Sequence, residues 1–463
     1  MNYVESVVDL VGNTPLVKLH RVVEPGMATV LAKVEYLNPA GSVKDRMAVR
    51  MIERAERQGQ LKPGGTIVES TSGNTGMGLA MVAAARGYRC VCTIPDKMSQ
   101  EKIDMLKAYG AEVVVTPTDL AHDAPESYVE VAKRIARDTP NAIYTDQYFN
   151  MTNPQTHYET TGPEIWRDTD GMVDCLVGGI GTGGTMSGAG RYLKEQAKAA
   201  GRTVRIVCPD PEGSVYRDAH RNKPEHEWCS RVYAVEGIGH DYMVGTLDLS
   251  VIDEIVPVSD KQSFLAVRRL AREEGLFTGG SGGTAMVGAL EMARRLGTGK
   301  LIVVILPDSG DRYISKCFND EWMKDKGYLD LEERLGYVRD VLRFKKGKVE
   351  LATAEETVSS VVSRMAKLGI SQMPVVAPTG SHGRFMMIHE VDLLHGLIEG
   401  RCKPTDPVVQ SAMPLDGQVH TGDSLNRVQQ ILDDNNVAVV VDGDEIKGII
   451  GKIDVVRYLA GRS

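Results

Sequence analysis

The chain has 463 residues, 42% of them hydrophobic and 25% charged, with a net charge of -8. That length allows roughly two to four domains, and the acidic balance excludes nucleic acid or an anionic membrane as the main partner. No apolar run approaches the roughly 20 residues of a membrane span, and the N-terminus MNYVESVVDLVGNTPLV lacks the basic start and apolar core of a signal peptide, so a cytoplasmic location is expected.

The first informative stretch is NPAGSVKDRMA, residues 38–48. Pro39 and Gly41 mark a turn, Ser42 reads as an N-cap, and Asp45 completes a capping-box pattern. Met47, Met51 and Ala55, with Ala48 and Ile52, repeat at helical spacing, while Arg46, Arg50, Glu53 and Arg54 fill the other face. Lys44 therefore sits in the first turn of a helix, where the peptide dipoles disfavour a cation and lower its pKa. A lysine that forms an imine needs that state. For a lone lysine, solvent exposure is the more ordinary reading.

Farther along, GGTIVES, YRCVCTIP, AEVVVTP, VDCLVGG, RTVRIVCPD and KLIVVILPD read as strands alternating with helices, which predicts mostly parallel α/β sheets with ligands beyond the carboxyl ends of the strands. Cys90 and Cys92 alternate along one strand and read as core. The seven cysteines contain no CxxC pair and the ten histidines no metal-binding spacing, so neither a disulfide framework nor a metal site is expected.

Three junctions in this region are rich in glycine. TIVESTSGNTGMGLA places backbone N–H groups and small hydroxyls at a helix N-terminus, which suits an anion. CLVGGIGTGGTMSGAGRYLKE reads as a strand over Val173 to Val177, then Gly181-Thr182-Gly183-Gly184-Thr185, then a helix. GLFTGGSGGTAMVGALEMARR reads as a third strand, glycine loop and helix, with Ser281 in the middle. Gly179-x-Gly181-x-x-Gly184 also satisfies GxGxxG, and Asp210 ends a later strand, so an NAD-dependent dehydrogenase is the rival. That rival explains one loop and leaves Lys44 and the other two without a task. Three loops and one poised lysine point to a single phosphorylated cofactor, pyridoxal 5'-phosphate.

Near Lys324 the texture changes to a charged stretch read as a helical linker. Two similar units of about 60 residues follow, each a helix, a short strand pair and another helix.

NPAGSVKDR, STSGNTG, GTGGT and TTGPEIW resemble the fold-type II pyridoxal-phosphate enzymes that make cysteine or cystathionine by β-replacement. DPEGSVY (210–216) and VEGIGHD (235–241) are similar to the cystathionine β-synthases within that group, and the duplicated tail resembles their paired CBS domains. The resemblance implies an α/β catalytic region of two open subdomains, tryptophan synthase β-like, over residues 1–325. A linker at 326–338 and a tandem CBS (Bateman) module at 339–400 and 407–463 would follow. It implies that Lys44 holds the cofactor as an internal aldimine and then serves as base at the substrate's α-carbon. By the same resemblance Asn74 stands beside the cofactor's phenolic oxygen, and Gly181, Thr182, Gly183, Gly184 and Thr185 bind its phosphate. Thr71, Ser72, Thr75 and Gln147 bind the substrate carboxylate, and Ser281 partners the pyridine nitrogen. A serine there donates a hydrogen bond without fixing a full positive charge on the ring, which favours elimination to an aminoacrylate over transamination.

The implied reaction joins L-serine and L-homocysteine into L-cystathionine and water. The alternative is a cysteine synthase that takes O-acetylserine or O-phosphoserine with sulfide. His240 stands where the family often has an aromatic residue and is either a thiol-preference determinant or a surface histidine. Eleven residues precede Gly12-Asn13-Thr14-Pro15, too few for the haem-binding segment of the animal enzymes, so no haem is expected. S-adenosylmethionine is the implied regulatory ligand, with Asp392 and Asp454 placed to hold its ribose; helix capping is their other reading. The hydroxyl residue often found three before each acid is His389 in one unit and Gly451 in the other. A homodimer or higher homo-oligomer is implied.

Overall fold

A computed structural model describes residues 1, 3–71, 73–96, 98, 100–117, 124–329, 336–345, 349–377, 385–415, 417–434, 437–443 and 445–461. The chain divides into two units, Met1–Tyr328 and Leu329–Ser463.

The first unit is built on two open sheets. The larger has the order β1 (Leu16–Lys18), β2 (Thr29–Val34), β10 (Leu301–Leu306), β7 (Cys175–Val177), β8 (Arg205–Pro211) and β9 (Glu254–Val258). Only β1 runs antiparallel to its neighbour. The smaller is wholly parallel, in the order β5 (Glu112–Thr116), β4 (Arg89–Pro95), β3 (Thr66–Ser70) and β6 (Ala142–Tyr144). In chain order the helices are α1 (Lys44–Arg57), α2 (Asn74–Arg86), α3 (Gln100–Ala108), α4 (Tyr128–Asp138), α5 (Thr152–Glu159), α6 (Thr161–Asp168), α7 (Gly184–Ala199), α8 (Tyr216–His220), α9 (Asp260–Arg269), α10 (Gly280–Leu296) and α11 (Asp320–Asp325).

All six strand candidates of the sequence are strands, but β1, β2, β6 and β9 carry no strong run of their own. The third glycine loop departs from expectation: no strand precedes it. A π-helix at Leu270–Glu274 ends at Gly275, and Thr278 forms only an isolated bridge to Ser309. A segment of GLFT length needs a partner edge to become a strand, and β10 already has neighbours on both sides.

Apolar side chains fill both faces of the larger sheet. Val30, Ala32, Val304, Ala289 and Met292 lie in one layer, and Leu176, Ile206, Met186, Leu193 and Val303 in the other. The smaller sheet shares a core with α1 and α2 through Ala48, Ile52, Ile67, Met77 and Cys92. Cys90 and Cys92 are buried as expected, with sulfurs 3.8 Å apart.

The second unit contains α12 (Val338–Phe344), then β11 (Ala352–Thr353), α13 (Val358–Leu368), β12 (Gln372–Val376), β13 (Phe385–His389) and α14 (Glu390–Ile398). The repeat continues with β14 (Met413–Pro414), β15 (Gln418–Val419), α15 (Leu425–Asp434), β16 (Val437–Asp442), β17 (Glu445–Gly451) and α16 (Lys452–Ala460). The halves exchange edge pieces. Val338 and Val341 of α12 pack in the core of the second half, while β14 joins the sheet of the first. Among the described residues no helix is long and apolar enough to cross a membrane.

Candidate active site

The carboxyl ends of β3, β7 and β10 face one cavity, as parallel strands require. Lys44, Asn74, Gly181, Thr182, Gly183, Thr185 and Ser281 line it together. A wider cleft opens beside it, lined by Lys44, Thr75, Gln147, Tyr148, Glu236 and His240 among others. Thus residues from all three glycine loops meet the lysine.

Lys44 is the first residue of α1. The cap differs in detail from the expected box: Val43 is the N-cap, and Ser42 one residue earlier accepts from Lys44 N at 3.3 Å. Asp45 reaches back to Ala40 N at 2.6 Å rather than to Ser42 N, because the turn at 38–41 brings that amide closer. Burial is the chief cause that lowers the pKa of Lys44, and the Asp308 carboxylate opposes it. Lys44 thus stands in the first helical turn as expected, and desolvation is what chiefly lowers its pKa.

The helix's other face also departs from expectation. Arg46 is buried, not solvated. Its guanidinium forks onto Glu35 at 2.7 and 2.8 Å and onto Glu164 at 2.7 and 2.7 Å. Lys33 Nζ adds a bond to Glu164 at 2.8 Å. Burial, the largest single cause, would raise Glu35 and Glu164, but Arg46, joined by Lys33 and at Glu35 by Thr14, outweighs it and holds both below their ordinary values, Glu164 at about 2. Bidentate pairing supplies the geometry a buried charge needs.

Asn74 opens α2 after Gly73, whose φ of +128° suits glycine alone. Its Nδ2 donates to Asp308 Oδ2 at 2.7 Å, and its Oδ1 accepts from Arg312. Thr75 Oγ1 donates to Gln147 Oε1 at 2.6 Å, so these two cleft residues meet as expected. Thr71 lies beneath the loop, where its Oγ1 accepts from Gly73 N and Gly76 N at 3.0 and 3.3 Å. Ser72 lies outside the described residues.

The second loop is shaped by close approach. A Cβ on Gly181 would strike Gly237 O, one on Gly184 the Asn153 side chain, and one on Gly183, at φ +82°, Leu247 at 2.6 Å. Tyr216 Oη holds Gly181 O at 2.7 Å, and His157 Nε2 meets Thr185 Oγ1 at 3.2 Å. Burial, then Arg46, pushes His157 down to about 3, so the ring is neutral and can accept or donate according to tautomer. The N-cap of α7 is Gly183, which has no side chain to cap with; Thr182 Oγ1 accepts from Gly184 N at 3.4 Å, and the helix N-terminus suits an anion. A lysine with lowered pKa, a cradle that side chains would fill and hydroxyl donors at Thr182, Thr185 and Ser281 fit a phosphorylated pyridine aldehyde.

Sequence reasoning missed Asp308, Arg312 and His157. Asp308 was visible only as the residue after a strand, and nothing local marks the other two. His240 is not a surface histidine: it stacks edge-on with Tyr148 and Tyr242 at 5.2 and 4.0 Å and lines the cleft. In the second unit Asp392 and Asp454 occupy the first turns of α14 and α16, and Asp392 is exposed. Asp454 Oδ2 accepts from Gly451 N at 2.9 Å and from Lys345 Nζ at 2.6 Å.

Comparison with known proteins agrees with this geometry. The profile of the pyridoxal-phosphate dependent enzymes matches residues 7–308, and that of the CBS domain matches residues 405–461. The cystathionine beta-synthase of Oryctolagus cuniculus is 39% identical over 479 residues, covering 99% of this chain and 85% of the relative. That of Saccharomyces cerevisiae is 35% identical over 517 residues and covers 98% of each. The chain belongs to the cystathionine β-synthase family. Over about two thirds of its length it is also similar to solved structures of other enzymes. An O-ureido-L-serine synthase is 36% identical with a TM-score of 0.63, covering 70% of this chain and 100% of that one. A hydrogen sulfide-producing enzyme of Fusobacterium nucleatum is 34% identical with a TM-score of 0.62, covering 67% and 100%. The likeness to the family's namesakes thus extends over nearly the whole chain, whereas these two structures cover about two thirds of it.

Proposed function

We propose that this enzyme condenses L-serine with L-homocysteine to L-cystathionine and water. The observation that carries the reading is the identity to cystathionine β-synthases across nearly the whole chain, joined to a cavity that collects Lys44, Asn74, Thr185 and Ser281. Bound pyridoxal phosphate supplies an electron sink for the substrate's α-carbon. Lys44 anchors the cofactor and, once free, takes the α-proton at Nζ and returns a proton to the departing serine hydroxyl. Its lowered pKa keeps a neutral fraction for that task. Backbone N–H groups of Gly181 to Thr185, with the hydroxyls of Thr182 and Thr185, bind the phosphate. Asn74 orients the ring at its oxygen and Ser281 at its nitrogen. Thr71, Ser72, Thr75 and Gln147 hold the substrate carboxylate, and the Thr75–Gln147 bond orients two of them.

The cleft aromatics around His240 shape the thiol site. Rates with serine plus homocysteine, set against O-acetylserine plus sulfide, test the choice. Faster turnover of the second pair makes the chain a cysteine synthase.

The paired repeats at 339–400 and 407–463, joined to the catalytic region by residues 326–338, form a regulatory module for S-adenosylmethionine, with Asp392 and Asp454 at the ribose. Asp454 would exchange its bond from Lys345 for the ligand. Calorimetry without heat of binding leaves both aspartates as caps. We further propose a cytoplasmic homodimer or higher oligomer without haem; a Soret band in pure protein or a monomeric sedimentation coefficient counts against those parts.

A further inference from the structure

The segment after β10, Pro307 to Tyr313, touches three of the elements that present groups to the cavity. Pro307 O accepts from Val43 N at 2.8 Å, beside Lys44, and Ser42 forms an isolated bridge with Asp308. Asp308 O accepts from Thr278 Oγ1 at 2.9 Å and from Gly279 N at 3.1 Å, just before Ser281. Arg312 donates to Ala40 O in the turn ahead of α1 and to Asn74 Oδ1 at the start of α2. One short stretch therefore joins the Lys44 turn, the Asn74 loop and the Ser281 loop.

The bonds on Asn74 have a particular consequence. An amide side chain has one acceptor oxygen and two N–H donors, and its two flips exchange them. Here the oxygen is held by Arg312, which can only donate, and one N–H is held by the Asp308 carboxylate at 2.7 Å. A flipped amide would set N–H against guanidinium and oxygen against carboxylate. Asp308 Oδ2 also accepts from Tyr313 Oη at 2.6 Å, and Arg312 is almost wholly buried, so neither partner is loose. The remaining N–H of Asn74, whose side chain lines the cavity with Lys44, is the donor left for a ligand.

We propose that Asp308 and Arg312 are positioning residues that lock the Asn74 amide in the one flip that donates to the ring oxygen of bound pyridoxal phosphate. Toward the ring oxygen they act through Asn74, while the Asp308 carboxylate separately favours the charge on Lys44. The inference rests on the cofactor reading above. Losing the lock lets the amide present its oxygen to the ring oxygen, which disfavours the anionic phenolate and moves the bound cofactor from its visible-absorbing form toward its near-ultraviolet form.

The test is a double-mutant cycle on protein loaded with pyridoxal phosphate, read as the ratio of visible to near-ultraviolet absorbance at matched cofactor content. Arg312→Gln and Asn74→Ala should each lower the ratio by about tenfold, the order of one hydrogen bond to a charged group. In the Asn74→Ala background, Arg312→Gln should change it no further. An undiminished second drop, or a visible band unmoved by Arg312→Gln in stoichiometrically loaded protein, overturns the lock. Should Arg312→Gln not fold, Arg312→Met enters the same cycle with the same two outcomes. Wild-type protein with no visible band at all fails the cofactor reading itself, and the lock with it.

Discussion

Two cations two residues apart on α1 meet opposite surroundings. Toward the back, Arg46 lies among Glu35 and Glu164, and their charges outweigh burial and raise its pKa. Toward the cavity, Lys44 is desolvated with only the Asp308 carboxylate to favour its charge, and its pKa falls. Both positions withhold water; pairing alone separates a fixed charge from one that can be given up. The same helix thereby carries a structural cation and a chemical one.

The largest effect should come from the cavity side. Lys44→Ala should lower turnover by at least about 10³-fold, within the range for loss of a general acid–base group. It should also abolish the mass gain that borohydride produces by fixing the cofactor to the wild-type chain. A variant that still gains that mass would move the anchor elsewhere and break the comparison.

At the back, Arg46→Met removes one partner from two buried carboxylates. The expected cost is about 3–5 kcal/mol, measured by urea unfolding. A cost below about 1 kcal/mol, the scale of an exposed pair, would mean that the cluster is solvated.

Acid should act first through His157, which bonds Thr185 on the cavity side and feels the charge of Arg46 behind it. His157 titrates at about 3 in the folded chain against an ordinary 6.5, so on acidification the unfolded chain takes up this proton first. The stability that the neutral ring contributes is complete above pH 6.5 and is lost as pH falls toward 3. Glu164, at about 2 against 4.5, adds a loss over the lower window. His157→Gln should therefore lose less stability than the wild type between about pH 7.5 and about pH 5. Equal losses would show that His157 titrates normally.

The smallest change concerns the charge allowed in the cavity. Ser281→Asp adds an anion where the ring nitrogen is expected and should lower β-replacement by about tenfold, equivalent to one pKa unit of differential interaction. Unchanged steady-state turnover would count against the assignment of Ser281.

These contrasts show which parts of the site a sequence can display. Gly181 to Thr185 and Lys44 were legible because their chemistry is local: glycines that admit close backbone approach and a lysine in a first helical turn. Strands β4, β8 and β10 were legible because burial on both faces demands continuous apolar runs. Short β1 and β6 owe their conformation to a neighbouring edge, and edges are set by topology. Arg46 read as an outer residue because its partners, Glu35 and Glu164, lie far apart in sequence. Asn74 meets Asp308 across 234 positions, and no periodicity records such a meeting. His157 is hidden for the same reason: its neutrality depends on burial and on Arg46, which no local pattern expresses.

The order of strands in the larger sheet sets a timetable for synthesis. β2 lies between β1 and β10, and Thr29 pairs with Leu301. On a ribosome adding about 5–20 residues per second, the inner edge of β2 waits roughly 15–50 seconds for its partner. Through that interval the edge is open to any other extended chain, a hazard that grows with expression level. The cavity wall formed by Ile305 and Pro307 also arrives only then. The cavity is therefore complete only after β10 is made, and a chain truncated before β10 should accumulate as aggregate rather than as an apoenzyme.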